Sequence, residues 1–325
     1  MPWRPFDSRP VLGLALQGGG AHGAFTWGVL DALLEDGRHD LAAASGASAG
    51  AMNAVALAHG LAVGGPDGAR ASLASFWAAV GSRVRFDMLT TGSADQPGLT
   101  PMVRAWMQWT RLVAPGTLNP LGLNPLRDVL AAQIDFEQLR HRSAMRLFIA
   151  ATHAATGRLR LFVNHELTLD AVLASACLPT LQRAVVIDGV PYWDGGYSAN
   201  PALFPLVRTG IRDLLIVTLG PLVFDGVPES AEAIRERALE FGFHASYLRE
   251  RQLLDEAREC ARPGFWGFGG GRLDRLLHRL RIHTIDAQDD LSHLAGETRL
   301  IAHLPFLESL RDLGRAAGRG WLERR

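Results

Sequence analysis

The chain has 325 residues, 48% of them hydrophobic, enough for a sizeable core in one large domain or two modest ones. Its 33 basic and 33 acidic residues cancel, which argues against a global electrostatic grip on nucleic acid. Every basic residue is arginine, so no lysine is present to form a Schiff base or a phosphate-binding loop. The first predicted element is the apolar run VLGLALQ (11–17), a buried strand. A glycine loop follows, and 21–36 carries Phe25, Val29, Leu30, Leu33 and Leu34 at helical spacing before Gly37 ends the helix. HDLAAAS (39–45) predicts a second strand, and GASAGAMNAVALAHG a sharp turn into a small-residue helix. Strand, helix, strand and helix in this order imply parallel strands joined by right-handed crossovers.

Residues 64–125 are turn-rich and read as a cap-like insertion rather than sheet, with helices at ASLASFWAAV and around LTPMVRAWMQWTRLV. A single helix is expected over 125–140, then strands at AMRLFIAATH and GRLRLFVN and a helix at LTLDAVLASAC. RAVVIDGVPYWDGG reads as a hairpin turning at Asp188-Gly189. DLLIVTLG (213–220) is another buried strand, 228–260 a charged helix, and RPGFWGFGGGR (262–272) a glycine and aromatic loop. LDRLLHRL is a basic amphipathic helix, RIHTIDA a late edge strand, and 289–323 helical. The alternation gives an α/β fold class with a mostly parallel sheet. The expected division is a core over 1–220 and a mainly helical region over 221–325 packed on it.

Two motifs carry chemistry. Gly18-x-Gly20-x-x-Gly23 follows a strand and opens a helix, as a dinucleotide-binding fingerprint does. That fingerprint needs an acidic residue near the end of the second strand to bind ribose hydroxyls. Asp40 lies at the start of that strand, so the requirement fails. Gly46-x-Ser48-x-Gly50 places a serine on a strand-to-helix turn, its flanking glycines permitting close backbone passage. The amides of Gly18, Gly19 and Gly20 and that of Ala49 can then converge as an oxyanion hole. A serine nucleophile needs a base, and YWDGGYSANP offers Asp194, followed by Gly195 and Gly196. On its own, Asp-Gly-Gly is also ordinary turn chemistry.

GGGAHGAF, GASAGAMNA and ASACLPTLQRAVVIDGVPYWDGGYSANP, in this order across about residues 10–220, resemble the patatin-like phospholipase family. The resemblance implies a three-layer α/β/α fold and cleavage of carboxylic esters of lipids without a cofactor. It further implies Ser48 as nucleophile, Asp194 as its partner in a dyad without histidine, and the glycine loop as oxyanion hole. His22 stands where the family usually carries arginine or lysine. Three readings compete for it: a structural hydrogen bond, contact with a substrate phosphate or carboxylate, or proton transfer. A free carboxylate is a weak base, so Asp194 is expected in a semi-enclosed site. Phe76, Trp77, Trp106 and Trp109 are candidates for its apolar wall or for plain core.

Other readings use the same residues differently. Acyl transfer or thioester cleavage shares the dyad. An α/β-hydrolase triad would recruit His244, His283 or His303, and a non-catalytic module would bind nucleotide. Cys177 and Cys260 suggest neither a disulfide framework nor zinc, and no acidic loop has calcium spacing. The polar start of the chain lacks signal-peptide design, and no run of about 18 apolar residues occurs. The expectation is a cytoplasmic protein with a lipid or other acyl-ester substrate and no nucleic-acid partner. GFWGFGGGRLDRLLHRLR reads either as a packed carboxyl-terminal helix, the favoured reading, or as a surface for transient contact with a membrane.

Overall fold

The computed structural model describes residues 9–82, 90–93, 96–110, 113, 115–119, 122–224, 226–261 and 271–325. Strand β1 (Val11–Leu16) passes through the glycine loop into helix α1 (Gly23–Asp36), which ends on Gly37 at a left-handed φ of 66°. Strand β2 (Asp40–Gly46) follows and turns into α2 (Ala49–Ser82), which kinks at Gly64 and Gly65 just before Pro66. The segment expected as a cap without sheet contains a small antiparallel hairpin, β3 (Thr90–Gly92) and β4 (Pro97–Leu99). Helices α3 (Pro101–Thr110) and α4 (Pro115–Leu118) come next.

The helix expected over 125–140 is two, α5 (Pro125–Gln133) and α6 (Phe136–Arg142). Asp135 divides them, because its side chain accepts the Glu137 and Gln138 amides and starts a new helix. Strands β5 (Arg146–His153) and β6 (Leu159–Val163), helix α7 (Leu169–Ser175) and the hairpin of β7 (Val185–Ile187) and β8 (Val190–Asp194) follow. Asp188 and Gly189 turn that hairpin with φ of 51° and 79°, the two left-handed positions that a tight two-residue turn requires. Then come α8 (Phe204–Arg208), β9 (Asp213–Thr218), α9 (Ala231–Cys260), α10 (Arg272–Arg279) and β10 (Arg281–Asp286). The stretch expected as helical over 289–323 is broken into α11 (Gln288–Leu291), a short turn at Gly296–Leu300 and α12 (Leu304–Glu323).

One sheet orders the molecule as β10-β9-β1-β2-β5-β8-β7, with β6 also on β5. From β10 to β5 all neighbours are parallel, while β6, β7 and β8 pair antiparallel. The chain is therefore an α/β protein with a mostly parallel central sheet. Helix α12 lies along α1, and Phe306, Leu307 and Leu310 join Phe25 and Leu30 in the main core. Burying a side chain such as Phe25 or Phe306 contributes about 2–3 kcal/mol. Among the polar residues, Asn53 ties two helices together: it donates to the Gly23 carbonyl and accepts from Trp77 Nε1, both at 2.9 Å.

Sheet register sets where the chemistry sits. Strand β6 occupies one edge of β5 across Phe148–Thr152. Strands β2 and β8 must then share the other edge. Gly46, the last residue of β2, pairs with Ile149, and Asp194, the last of β8, pairs with Ala151. The two strands run toward each other along one edge of β5. Their ends meet at the carboxyl-terminal rim of the parallel strands.

Candidate active site

Ser48 lies in the turn between β2 and α2 with φ of 52°, a left-handed conformation that costs a non-glycine residue about 1–3 kcal/mol. The turn is held on all sides. The Ser48 amide donates to the Ser175 carbonyl and hydroxyl, both at 3.0 Å, and the Gly50 amide donates to the Ala47 carbonyl at 2.9 Å. A Cβ on Gly50 would fall 2.1 Å from the Leu16 carbonyl oxygen, so only glycine lets the turn pack on the end of β1.

The glycine loop approaches from β1. Gln17 is buried, and its Oε1 accepts the amides of Leu219 and Gly220, which fixes the loop's root to the end of β9. A Cβ on Gly18 would fall 2.8 Å from Ser48 Cβ, so the loop backbone lies directly against the serine. The Gly18 amide is not free, because it donates to Asn200 Oδ1 at 2.7 Å. That takes Gly18 from the set of expected oxyanion donors. Among the described residues, nothing accepts the amides of Gly19, Gly20 or Ala49.

Asp194 is 1% exposed. Its backbone is fixed by an amide bond to the Cys177 carbonyl and a bond from the Thr152 hydroxyl, both at 2.8 Å. Oδ1 accepts the Gly196 amide at 2.7 Å, and Oδ2 is buried without a well-formed hydrogen bond. No cation is paired with it among the described residues. Burial raises its pKa to about 7, against the opposing pull of the Gly196 amide and the nearby Ser48 hydroxyl.

His22 is buried at the foot of the loop, with Nε2 2.7 Å from Thr298 Oγ1. Burial, then the charges of Arg299 and His293, lower its pKa to about 3. A cavity of about 640 Å³ lies beyond it, lined among others by His22, Leu219, Glu240, Phe243 and Arg299. Ser48 and Asp194 do not line this cavity, which meets the glycine loop from the α9 side.

The two readings of the aromatic residues, apolar wall or plain core, divide by position. Phe76 and Trp77 are core, while Trp106 and Trp109 are 60% and 57% exposed on α3. On α3, Val103 packs against the main core, while Met102, Trp106 and Trp109 are exposed. The histidines of the triad reading are elsewhere. His283 bonds Asp213 at the far end of the sheet, His303 stands just before α12, and His244, on α9, sits over Gly220. Asp40 opens β2 opposite Val11, away from the glycine loop. Most of the aromatic loop at 262–272 lies outside the described residues. Among the described residues, no group of His, Cys, Asp or Glu is arranged to hold a metal, and no helix is long and apolar enough to cross a membrane.

Ser175 and Thr298 went unnoticed in the sequence. Both act through chain segments more than a hundred residues from their partners; Ser175 lies near the start of ASACLPTLQRAVVIDGVPYWDGGYSANP without a role attached to it, and Thr298 sits in no motif.

Comparison with known proteins adds the family. A family model described as patatin-like phospholipase matches residues 14–207. VipD from Legionella pneumophila aligns over 94% of this chain and 67% of its own, at 14% identity and a TM-score of 0.39. ExoU from Pseudomonas aeruginosa, in a full-length complex with SpcU, aligns over 75% of this chain and 51% of its own, at 21% identity and a TM-score of 0.29. Likenesses of that size carry no argument about this chain. No curated protein matches it. The family match spans more than half of the chain and includes the glycine loop, the Ser48 turn and Asp194, so the protein belongs to the patatin-like phospholipase family of lipid acyl hydrolases.

Proposed function

We propose that the protein cleaves carboxylic esters of lipids through an acyl-enzyme on Ser48, with Asp194 as the base. Ser48 Oγ attacks the ester carbonyl carbon and its proton passes to Asp194. The carbonyl electron pair moves onto oxygen, where the Gly19, Gly20 and Ala49 amides and the amino-terminal end of α2 stabilise it. Collapse expels the alkoxide, which takes the proton back from Asp194. Water then attacks the acyl carbon as its proton passes to Asp194, and collapse breaks the bond to Ser48 Oγ, which takes that proton back as the acid leaves. An alcohol in place of water would give acyl transfer by the same steps.

The observation that carries this reading is the meeting of a strained Ser48 with a buried carboxyl that, among the described residues, has no cation and holds one unsatisfied oxygen. A base with a pKa of about 7 takes a hydroxyl proton far better than an ordinary carboxylate does. The exposed Met102, Trp106 and Trp109 suit contact with a lipid surface, where such substrates reside.

A fluorophosphonate probe tests the assignment, together with p-nitrophenyl esters of increasing chain length. Wild type is expected to be labelled and to turn over these esters, and Ser48→Ala to do neither. Labelling that survives Ser48→Ala ends the reading.

A further inference from the structure

The loop from Gly18 to His22 is fastened at both ends, and between them the amides of Gly19 and Gly20 have no acceptor among the described residues. At one end the Gly18 amide donates to Asn200 Oδ1 at 2.7 Å. Asn200 is 3% exposed and lies six residues beyond Asp194, in the loop that carries the base. At the other end His22 Nε2 meets Thr298 Oγ1 at 2.7 Å. Thr298 lies outside the stretch that matches the family.

The protons of this second bond follow by elimination. Thr298 Oγ1 is also 2.7 Å from the Ala295 carbonyl oxygen. A carbonyl can only accept, so the single hydroxyl proton of Thr298 points there. Toward His22 the hydroxyl is then an acceptor, and the imidazole carries its proton on Nε2. Nδ1 is left as a bare lone pair, buried and without a partner. The ring stays neutral at any working pH, since its pKa is held at about 3. A neutral ring with a sealed lone pair neither pairs with an anionic head group nor passes protons to solvent. Its remaining role is mechanical. The same segment presses on the loop at Gly20, where an added Cβ would fall 2.2 Å from the Arg299 carbonyl oxygen.

Resting on the acyl-enzyme reading above, we infer that Asn200 and Thr298 are positioning residues that clamp the glycine loop at Gly18 and His22, leaving the Gly19 and Gly20 amides as its oxyanion donors. Such donors act only within hydrogen-bond distance of the charge that develops in the transition state. A loosened clamp should therefore slow the chemical step and leave ground-state binding nearly unchanged.

The test compares Thr298→Val, which keeps the shape and removes the hydroxyl, with Thr298→Ser, which restores it, and adds Asn200→Ala. The readouts are kcat and KM on a soluble p-nitrophenyl ester, the rate constant for fluorophosphonate labelling, and thermal melting. Thr298→Val and Asn200→Ala are each expected to lose about 10–100-fold in kcat and in labelling rate, with KM within about twofold. Thr298→Ser should recover to within about threefold of wild type. If Thr298→Val fails to fold, the same bond is read by His22→Gln, which keeps an N–H donor, against His22→Leu, which does not. Wild-type kcat in the valine variant, a loss carried by KM, or a loss that serine does not restore overturns the clamp. Absence of labelling in wild type, or its persistence in Ser48→Ala, overturns the acyl-enzyme reading and the clamp with it.

Discussion

Two aspartates at opposite ends of one sheet show how surroundings decide what a carboxyl does. Asp213 opens β9 and Asp194 closes β8, and they are 2% and 1% exposed. Burial alone would raise both pKa values. Around Asp213 it is overcome by Arg281 at 2.6 Å, His283 at 2.9 Å and Arg325, and the pKa is lowered. Asp194 accepts one amide hydrogen bond and, among the described residues, meets no cation, so burial wins. The far end of the sheet has spent its charges on cohesion. The other end keeps a carboxyl in reserve beside a strained serine. Buried charge without a partner destabilises a fold, and proteins keep such groups chiefly where chemistry needs them.

The comparison can be broken most sharply at Ser48. Ser48→Ala should lower ester turnover by about 10⁴-fold or more, because it removes the proposed nucleophile. Asp194→Asn should cost about 10³–10⁴-fold in kcat. The same change should stabilise the protein at pH 8. A folded pKa raised above the unfolded 3.8 means that stability falls as pH rises from about 4 to about 7. Removing the carboxylate relieves that loss, by on the order of 2–4 kcal/mol at pH 8 and by almost nothing near pH 4. Thermal melting at the two pH values checks both sign and window. An Asp194→Asn variant that is inactive and less stable at pH 8 would make Asp194 structural.

Asp213→Asn should do the reverse. Activity should be unchanged, and stability at pH 7 should fall by about 2–3 kcal/mol, since Arg281 is largely exposed and Arg325 only partly buried. Its lowered pKa places that contribution above pH about 4, and it is lost as pH falls further. Melting curves of wild type and variant should therefore converge in acid. The smallest effect is expected on α3. Replacing Trp106 and Trp109 with glutamine should lower turnover of vesicle-borne lipid by about 3–10-fold and leave a soluble ester untouched.

The sequence made some of this plain and hid the rest for a physical reason. Local signals carried well: Gly37 ends α1, Asp188-Gly189 turns the hairpin, and Ser48 falls between an apolar run and a small-residue helix. Each is decided within a few residues by backbone preference. Asp194 was findable only as part of an ordered set of motifs, because its place depends on β8 reaching the shared edge of β5. Asn200 and Thr298 were harder still. Thr298 meets His22 across 276 positions, and nothing in its neighbours announces that. The break at Asp135 was missed because a helical apolar pattern outweighed a capping side chain. Trp106 and Trp109 were assigned inward because large aromatic residues usually are, a rule that exposed faces suspend.

In the proposed mechanism Asp194 acts as a base tuned by burial. The rate of fluorophosphonate labelling of Ser48, followed from pH 4 to 9, measures this directly. The expected profile rises with pH to a plateau, with a midpoint near 7. In Asp194→Asn that limb should disappear and the residual rate should be low throughout. A midpoint near 4, or the same limb retained in Asp194→Asn, would contradict the account.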